Sequence, residues 1–177
     1  MSTGANRVPE RLIGFKVYNE NYDLLGIASV TLPTLEAMTE TVSGAGILGE
    51  LEHPTLGNYG PLKTSISWNT VTKKAMILAS PGPHKIEVRG SQQVFDASNN
   101  KFTTEGVRAV MDVTPTNVTL GTFEVNATTG TEQEFEVSRF VLYVDDKEVI
   151  KLDKLNMECA FNGVDILSSV RKNLGMN

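Results

Sequence analysis

The feature that most constrains this chain is a two-residue hydrophobic period that returns along nearly its whole length. In "LKTSISWNT", Leu62, Ile66 and Trp68 fall on one side, and Lys63, Ser65, Ser67 and Asn69 on the other. Successive side chains of a strand point to opposite faces, so such a segment is a half-buried strand with one wet face. "LIGFKVY" (12–18) and "LLGIASVTL" (24–32) flank a turn at 19–23 and predict a first hairpin. Segments 84–96 and 101–116 surround the polar turn "ASNN". Segment 117–129 sets Phe123, Val125 and Ala127 against Thr122, Glu124, Asn126 and Thr128. "EFEVSRFVLYV", a turn at Asp145-Asp146, "KEVIKLD" and "KLNMECAFN" complete the series. Short strands at this spacing predict a mainly β fold, a sandwich or barrel.

Helical signals are few and peripheral. "PTLEAMTETV" (33–42) opens on Pro33, which suits a first helical turn, and spaces Leu35, Met38 and Val42 by a helical period. "TVTKKAMILAS" (70–80) ends at Pro81-Gly82-Pro83. "GVDILSSVRKNLG" aligns Leu167, Val170 and Leu174, carries Arg171 and Lys172 in its last turn, and ends on Gly175, predicting a C-terminal helix.

At 177 residues the chain suits one domain, 1–177, with room for a core. Its longest apolar runs outside glycine are five residues, at 75–79 and 140–144, against about 20 for a membrane helix. Membrane insertion is therefore not expected, and the N-terminus lacks the apolar stretch of a secretory signal. One cysteine, Cys159, cannot close an intrachain disulfide. A net charge of −5, with Lys and Arg only in isolated pairs such as Lys73-Lys74, argues against a nucleic-acid binder, whose affinity comes from neutralising phosphates.

One motif points elsewhere. Gly44, Gly46 and Gly49 spell G-x-G-x-x-G, the pattern of a dinucleotide-binding turn. That turn needs a strand before it and a helix after it, so that the pyrophosphate sits on the helix N-terminus. Here the preceding segment reads as helix, and Pro54, Gly57, Gly60 and Pro61 interrupt the segment after it. The order is wrong on both sides, and no cofactor is expected. The stretch 43–61 reads instead as a glycine-rich arm, long enough to require a purpose such as reaching a neighbouring subunit.

No other group assembles into chemistry. His53 and His84 have no partner at metal-ligand spacing, and no C-x-x-C or nucleophile elbow exists. Cys159 alternates along a strand as a buried thiol would, and Asp96, Asp145, Asp146 and Asp165 read as turn or helix-start residues. Neither a metal nor an enzyme is expected.

The order of "LPTLEAMTETVSGAGILGE", "SISWNTVT", "RGSQQVFD", "VIKLDKLN", "NGVD" and "VRKNLG" resembles the major tail tube protein family of contractile-tailed bacteriophages, from about Leu12 to Gly175. One departure is Asp146, at a hairpin position where that family is expected to carry glycine. The resemblance implies a β-sandwich or barrel-like protomer, six of which close a ring, with rings stacking into a hollow tube that conducts DNA during ejection. Four strands from each of six copies would make a barrel roughly 115 Å around, at about 4.8 Å per strand before tilt. It also implies an arm that packs on neighbours through Gly44, Gly46, Ile47, Leu48, Gly49, Gly57 and Tyr59. Partners would be the chain itself, the tail sheath, the tape measure, and the baseplate and tail-terminator proteins, with duplex DNA passing without tight binding. The location implied is the tail of the virion, with assembly in the host cytoplasm.

A channel wall that does not hold DNA should be small, polar and acidic. Three candidate lumen faces fit: Ser65, Ser67 and Asn69; Thr122, Glu124, Asn126 and Thr128; and Glu132, Glu134 and Glu136. The same architecture could serve a phage-tail-like bacteriocin or an effector-delivery device. A β-sandwich binding module for a small ligand is less well supported, with 7% aromatic residues and one Trp.

Overall fold

Strand β8 (Thr131–Val144) shows how the alternating sequence becomes two layers. The structure is a computed structural model that describes residues 7–21, 25–26, 28–44 and 46–176. Along β8, Thr131, Gln133, Phe135 and Val137 are buried, and Glu132 and Glu134 are exposed. The register against β7 (Lys101–Thr119) then slips, because Val113 pairs with Val137 while Asp112 pairs with Arg139. Ser138 is the extra residue. A bulge of one residue reverses which side chains face inward and bends the strand. Beyond it Phe140 lies in the core and Leu142 packs against it, so the inward positions have changed from odd to even.

The free edge of β8 changes partner at the same point. β5 (Lys63–Trp68) pairs with Thr131 through Glu136, and β9 (Lys147–Asp153) pairs with Arg139 through Val144. One layer is β2 (Ala28–Thr31), β5, the first half of β8 and the last part of β7. The other runs from β1 (Arg7–Asn19) and β6 (His84–Asp96) through β7 and β8 to β9, β10 (Glu158–Phe161) and β11 (Val164–Asp165). Both contribute to a single core cluster, with Ile66, Trp68 and Phe135 from the first layer and Val17, Ile86, Met111, Phe140 and Leu152 from the second. The mainly β expectation holds.

Two short helices close the ends. In α1 (Lys73–Ile77) the Thr72 hydroxyl accepts a hydrogen bond from the Ala75 N–H at 3.2 Å, and the helix buries Ala75. α2 (Ser168–Asn173) ends where the N–H groups of Gly175 and Met176 donate to the carbonyls of Lys172 and Arg171, a Schellman cap. Of the predicted stripe, Leu167 is buried and Val170 packs against the core, but Leu174 is exposed.

Three sequence expectations fail. Segment 33–42 is not a helix: Ala37–Ser43 is a strand, β3, paired with β4 (Glu50–Tyr59). Thr39, Thr41 and Val42 are β-branched, and the spacing of Leu35 and Met38 was too short a pattern to exclude a strand. Segments 12–18 and 24–32 do not form a hairpin, since β1 pairs with β6 and β2 with β5, in different layers. Segment 117–129 is not a separate strand. β7 runs on through Pro115, which the sheet accommodates by a register shift between Pro115 and Asn117, and it stops at Thr119.

The β8–β9 turn accounts for Asp146. Asp145 and Asp146 have φ of 51° and 58°, the signature of a type I′ hairpin turn, in which both central residues take positive φ. Aspartate tolerates that conformation better than most residues, though less freely than glycine.

Asp153 fixes the next turn. Its carboxylate accepts from the N–H groups of Leu155 and Asn156 and from the Asn156 amide, at 2.8–3.1 Å. Burial raises its pKa, but these donors and the nearby Arg139 guanidinium outweigh that and hold it below the usual aspartate value. A depressed carboxylate pKa stabilises the fold above the unfolded-state pKa, near 4, and the contribution is lost as pH falls through the folded value. Thermal unfolding is therefore expected to be flat from neutrality to about pH 4 and to decline below it. Asp153→Asn should cost about 1–2 kcal/mol at pH 7 and soften that acid decline. An unchanged acid profile in this variant would show that Asp153 plays no part in it.

Candidate assembly surfaces

The arm is a β-hairpin. β3 and β4 form a two-stranded sheet of their own, and every residue of β3 is exposed. It begins at Ala37 and returns at Tyr59, so it is longer than the 43–61 stretch expected from glycine content. Its faces differ. Val42 lies directly opposite Leu51, and Met38 shares their side of the sheet, with Glu40 opposite His53 between them; Thr41 opposite Glu52 and Ser43 opposite Glu50 make the other side polar throughout. Met38, Val42 and Leu51 are all exposed. Met38 and Val42, expected on the stripe of a helix, share a side of this strand instead, and Leu51 joins them from the 43–61 stretch.

The root of the arm is anchored to its own protomer. The Gly60 N–H donates to the Glu36 carbonyl at 2.9 Å, and Lys154 Nζ donates to the Gly60 carbonyl at 2.7 Å. Tyr59 packs against the core beside Cys159, and burial pushes both the phenol and the thiol above their usual pKa values. Gly57 has φ +69°, and a Cβ there would come within 2.6 Å of Leu167. Gly57 and Tyr59 thus sit in the root. Gly44, Gly46, Ile47, Leu48 and Gly49 lie at the tip, where the Ile47 N–H donates to the Gly44 carbonyl at 3.1 Å. The G-x-G-x-x-G pattern belongs to this turn: Gly46 has φ +98° and nothing within 4 Å of a would-be Cβ.

Two of the three candidate lumen faces prove to be one surface. Pairing of β5 with β8 sets Ser65 opposite Glu134, Ser67 opposite Glu132 and Lys63 opposite Glu136. β2 extends it with Ser29 and Thr31, and β7 with Thr114, Asn117 and Thr119. Asn117 Nδ2 donates to Glu134 Oε2 at 3.4 Å. Glu136 is occupied differently, accepting from the Leu62 N–H at 3.3 Å with Lys154 Nζ at 3.7 Å. Asn69 lies past the end of β5, and its carbonyl accepts from the Thr129 N–H.

The third face does not exist as a strand face. Thr122, Glu124, Asn126 and Thr128 lie in the loop 120–130, and Phe123 and Val125, expected to point inward, are exposed. Alternation misled because nothing pairs with this segment, so its two sides are both wet.

The outward face of the other layer has balanced charge. Arg139 lies 3.7 Å from Asp112 and 3.8 Å from Asp153, Lys151 lies 2.7 Å from Glu158, and Glu87 bridges Arg89 and Arg108. Among the described residues no group of three His, Cys, Asp or Glu could hold a metal ion, and no helix is long and apolar enough to cross a membrane.

Comparison with known proteins agrees with a mainly β protomer. The chain is 28% identical over 181 residues to the tail tube protein of Escherichia phage P2, covering 96% of this chain and 99% of that one. In fold it is similar to a sheath/tube terminator of an extracellular contractile injection system, with a TM-score of 0.52 and 12% identity, over 77% of this chain and 97% of the other. The family described as phage tail tube protein FII matches residues 9–175, and the chain belongs to that family.

Proposed function

We propose that this tail tube protein closes into rings of six copies which stack into a hollow tube, and that the sheet β2–β5–β8–β7 is the channel wall through which DNA passes. As a member of a structural tail family the chain is not an enzyme. The observation that carries the reading is the form of that four-stranded sheet. Its pairs are all antiparallel, and among the described residues the outer edges of β2 and of β7 at 114–119 have no partner. An even number of alternating strands lets β7 of one copy lie antiparallel to β2 of the next, so the wall can close without interruption and without exposed edges. Its outward face is small, polar and acidic, as a conduit for DNA requires.

The full-length match to a phage protein supports a phage tail over a delivery device. The partners of such a tube are the tail sheath, the tape measure, and the baseplate and terminator proteins, with the described residues forming one domain and the arm reaching a neighbour. Electron microscopy of the purified chain should show six-fold rings or tubes with an open channel. Duplex DNA should not bind at physiological salt. Glu134→Lys adds a cation at each copy, so tubes of that variant should retain DNA with a steep salt dependence, losing affinity by orders of magnitude between 50 and 200 mM salt, as about 6–10 phosphate contacts do. Filaments without a channel, or a monomer at every concentration, would refute the tube; unchanged DNA behaviour in Glu134→Lys would move the wall elsewhere.

A further inference from the structure

We propose that the loop 120–130 is a docking knob that seats on the Val42–Leu51 side of the arm of a second copy, in the adjoining ring. The inference rests on the stacked-ring reading of the tube. The loop and the arm leave the protomer at opposite ends of the same strands. In the β5–β8 pair, Lys63 and Glu136 mark one end, and Trp68 and Thr131 the other. The arm departs after Thr31 and returns just before Lys63, at the first end, whereas the loop follows Thr119 and precedes Thr131, at the second.

The loop is exposed and apolar, yet ordered. Phe123 is 91% exposed and Val125 88%, with Leu120 also exposed. The backbone beneath them is tied down. The Thr122 N–H donates to the Thr129 carbonyl at 2.9 Å, the Thr129 N–H to the Asn69 carbonyl at 3.0 Å, and the Thr131 hydroxyl to the Leu120 carbonyl at 3.0 Å. An aromatic ring held out into water on a preformed turn is the usual form of an interface anchor. Its complement is the arm, which presents Met38, Val42 and Leu51 on one face, beside the Glu40–His53 pair. A two-stranded hairpin that leaves Met38, Val42 and Leu51 uncovered is marginal alone. Different patches at opposite ends of one molecule make a head-to-tail contact, which propagates and does not close on itself. That is the contact a stack of rings needs.

The test uses the full chain with Phe123→Ser and Val125→Ser together. The variant should keep its β circular dichroism and its rings, while the concentration needed for tubes rises at least tenfold; Phe123→Leu should restore stacking. A photoreactive phenylalanine at position 123 of the otherwise intact chain should cross-link, in tubes only, to the 37–59 segment of another copy. Tubes formed normally by the double variant would overturn the proposal, as would loss of rings along with tubes, or cross-links mapping outside 37–59. If the unmodified chain forms no tube at all, the stacked-ring reading fails first.

Discussion

Trp68→Ala is expected to lower the unfolding temperature by about 10–20 °C, the largest single-residue effect in the protein. The indole is 2% exposed, lies in the core cluster beneath β5, and its Nε1–H donates to the buried Gln133 Oε1 at 2.9 Å. Gln133 in turn donates to the Ala75 carbonyl at 3.3 Å, so the two side chains tie β5, β8 and α1 together. Removing the ring leaves a cavity, which costs about 3–5 kcal/mol for Trp→Ala. It also leaves the Gln133 oxygen without its donor, about 1–3 kcal/mol more. Trp68→Phe separates the two contributions, because it keeps most of the volume and loses only the hydrogen bond. Urea unfolding should place Trp68→Phe near the smaller figure. A loss under about 2 kcal/mol for Trp68→Ala would show that the layers are held together elsewhere.

Gly46→Val is expected to abolish tube assembly while the protomer stays folded. The φ of +98° is strained for a residue with a Cβ, and a β-branched one is the worst case. No neighbouring atom lies within 4 Å, so the effect is on the backbone of the turn and not on packing. Strain of about 1–3 kcal/mol is decisive for an isolated hairpin of marginal stability, and negligible for a core that the tip of the arm does not touch. Circular dichroism and thermal unfolding should match the unmodified chain, and electron microscopy should show no tubes. Normal tubes would sink the idea, and so would loss of the β spectrum, which would make Gly46 a folding residue.

Period-two alternation made the long strands legible. Segments 84–96 and 147–153 are strands as read and 62–70 contains one at Lys63–Trp68, because each sets one face against the core. Asp145-Asp146 was legible as a turn from residue type alone, and so was Gly175 after α2, since caps and turns are local. The same rule failed at 117–129, where alternation continues past the end of β7 at Thr119 into residues with no partner strand, and at 33–42, where a helical spacing lies on a strand. A pattern shows that a segment could bury one face, not that a partner is there to bury it against.

Residue types and spacing alone establish the β class, the glycine-rich character of the stretch 43–61, and the absence of metal-ligand spacing between His53 and His84. All three depend on residue types and their spacing over a few neighbours. Only the tertiary structure decided that the serine face of β5 and the glutamate face of β8 are one surface, since antiparallel register joins residues some 65 positions apart, as in Ser67 opposite Glu132. It alone decided that one bulge residue, Ser138, turns β7 and β8 from one layer into the other. Register and bending depend on which strands meet, a choice made by long-range packing that no short window of sequence contains.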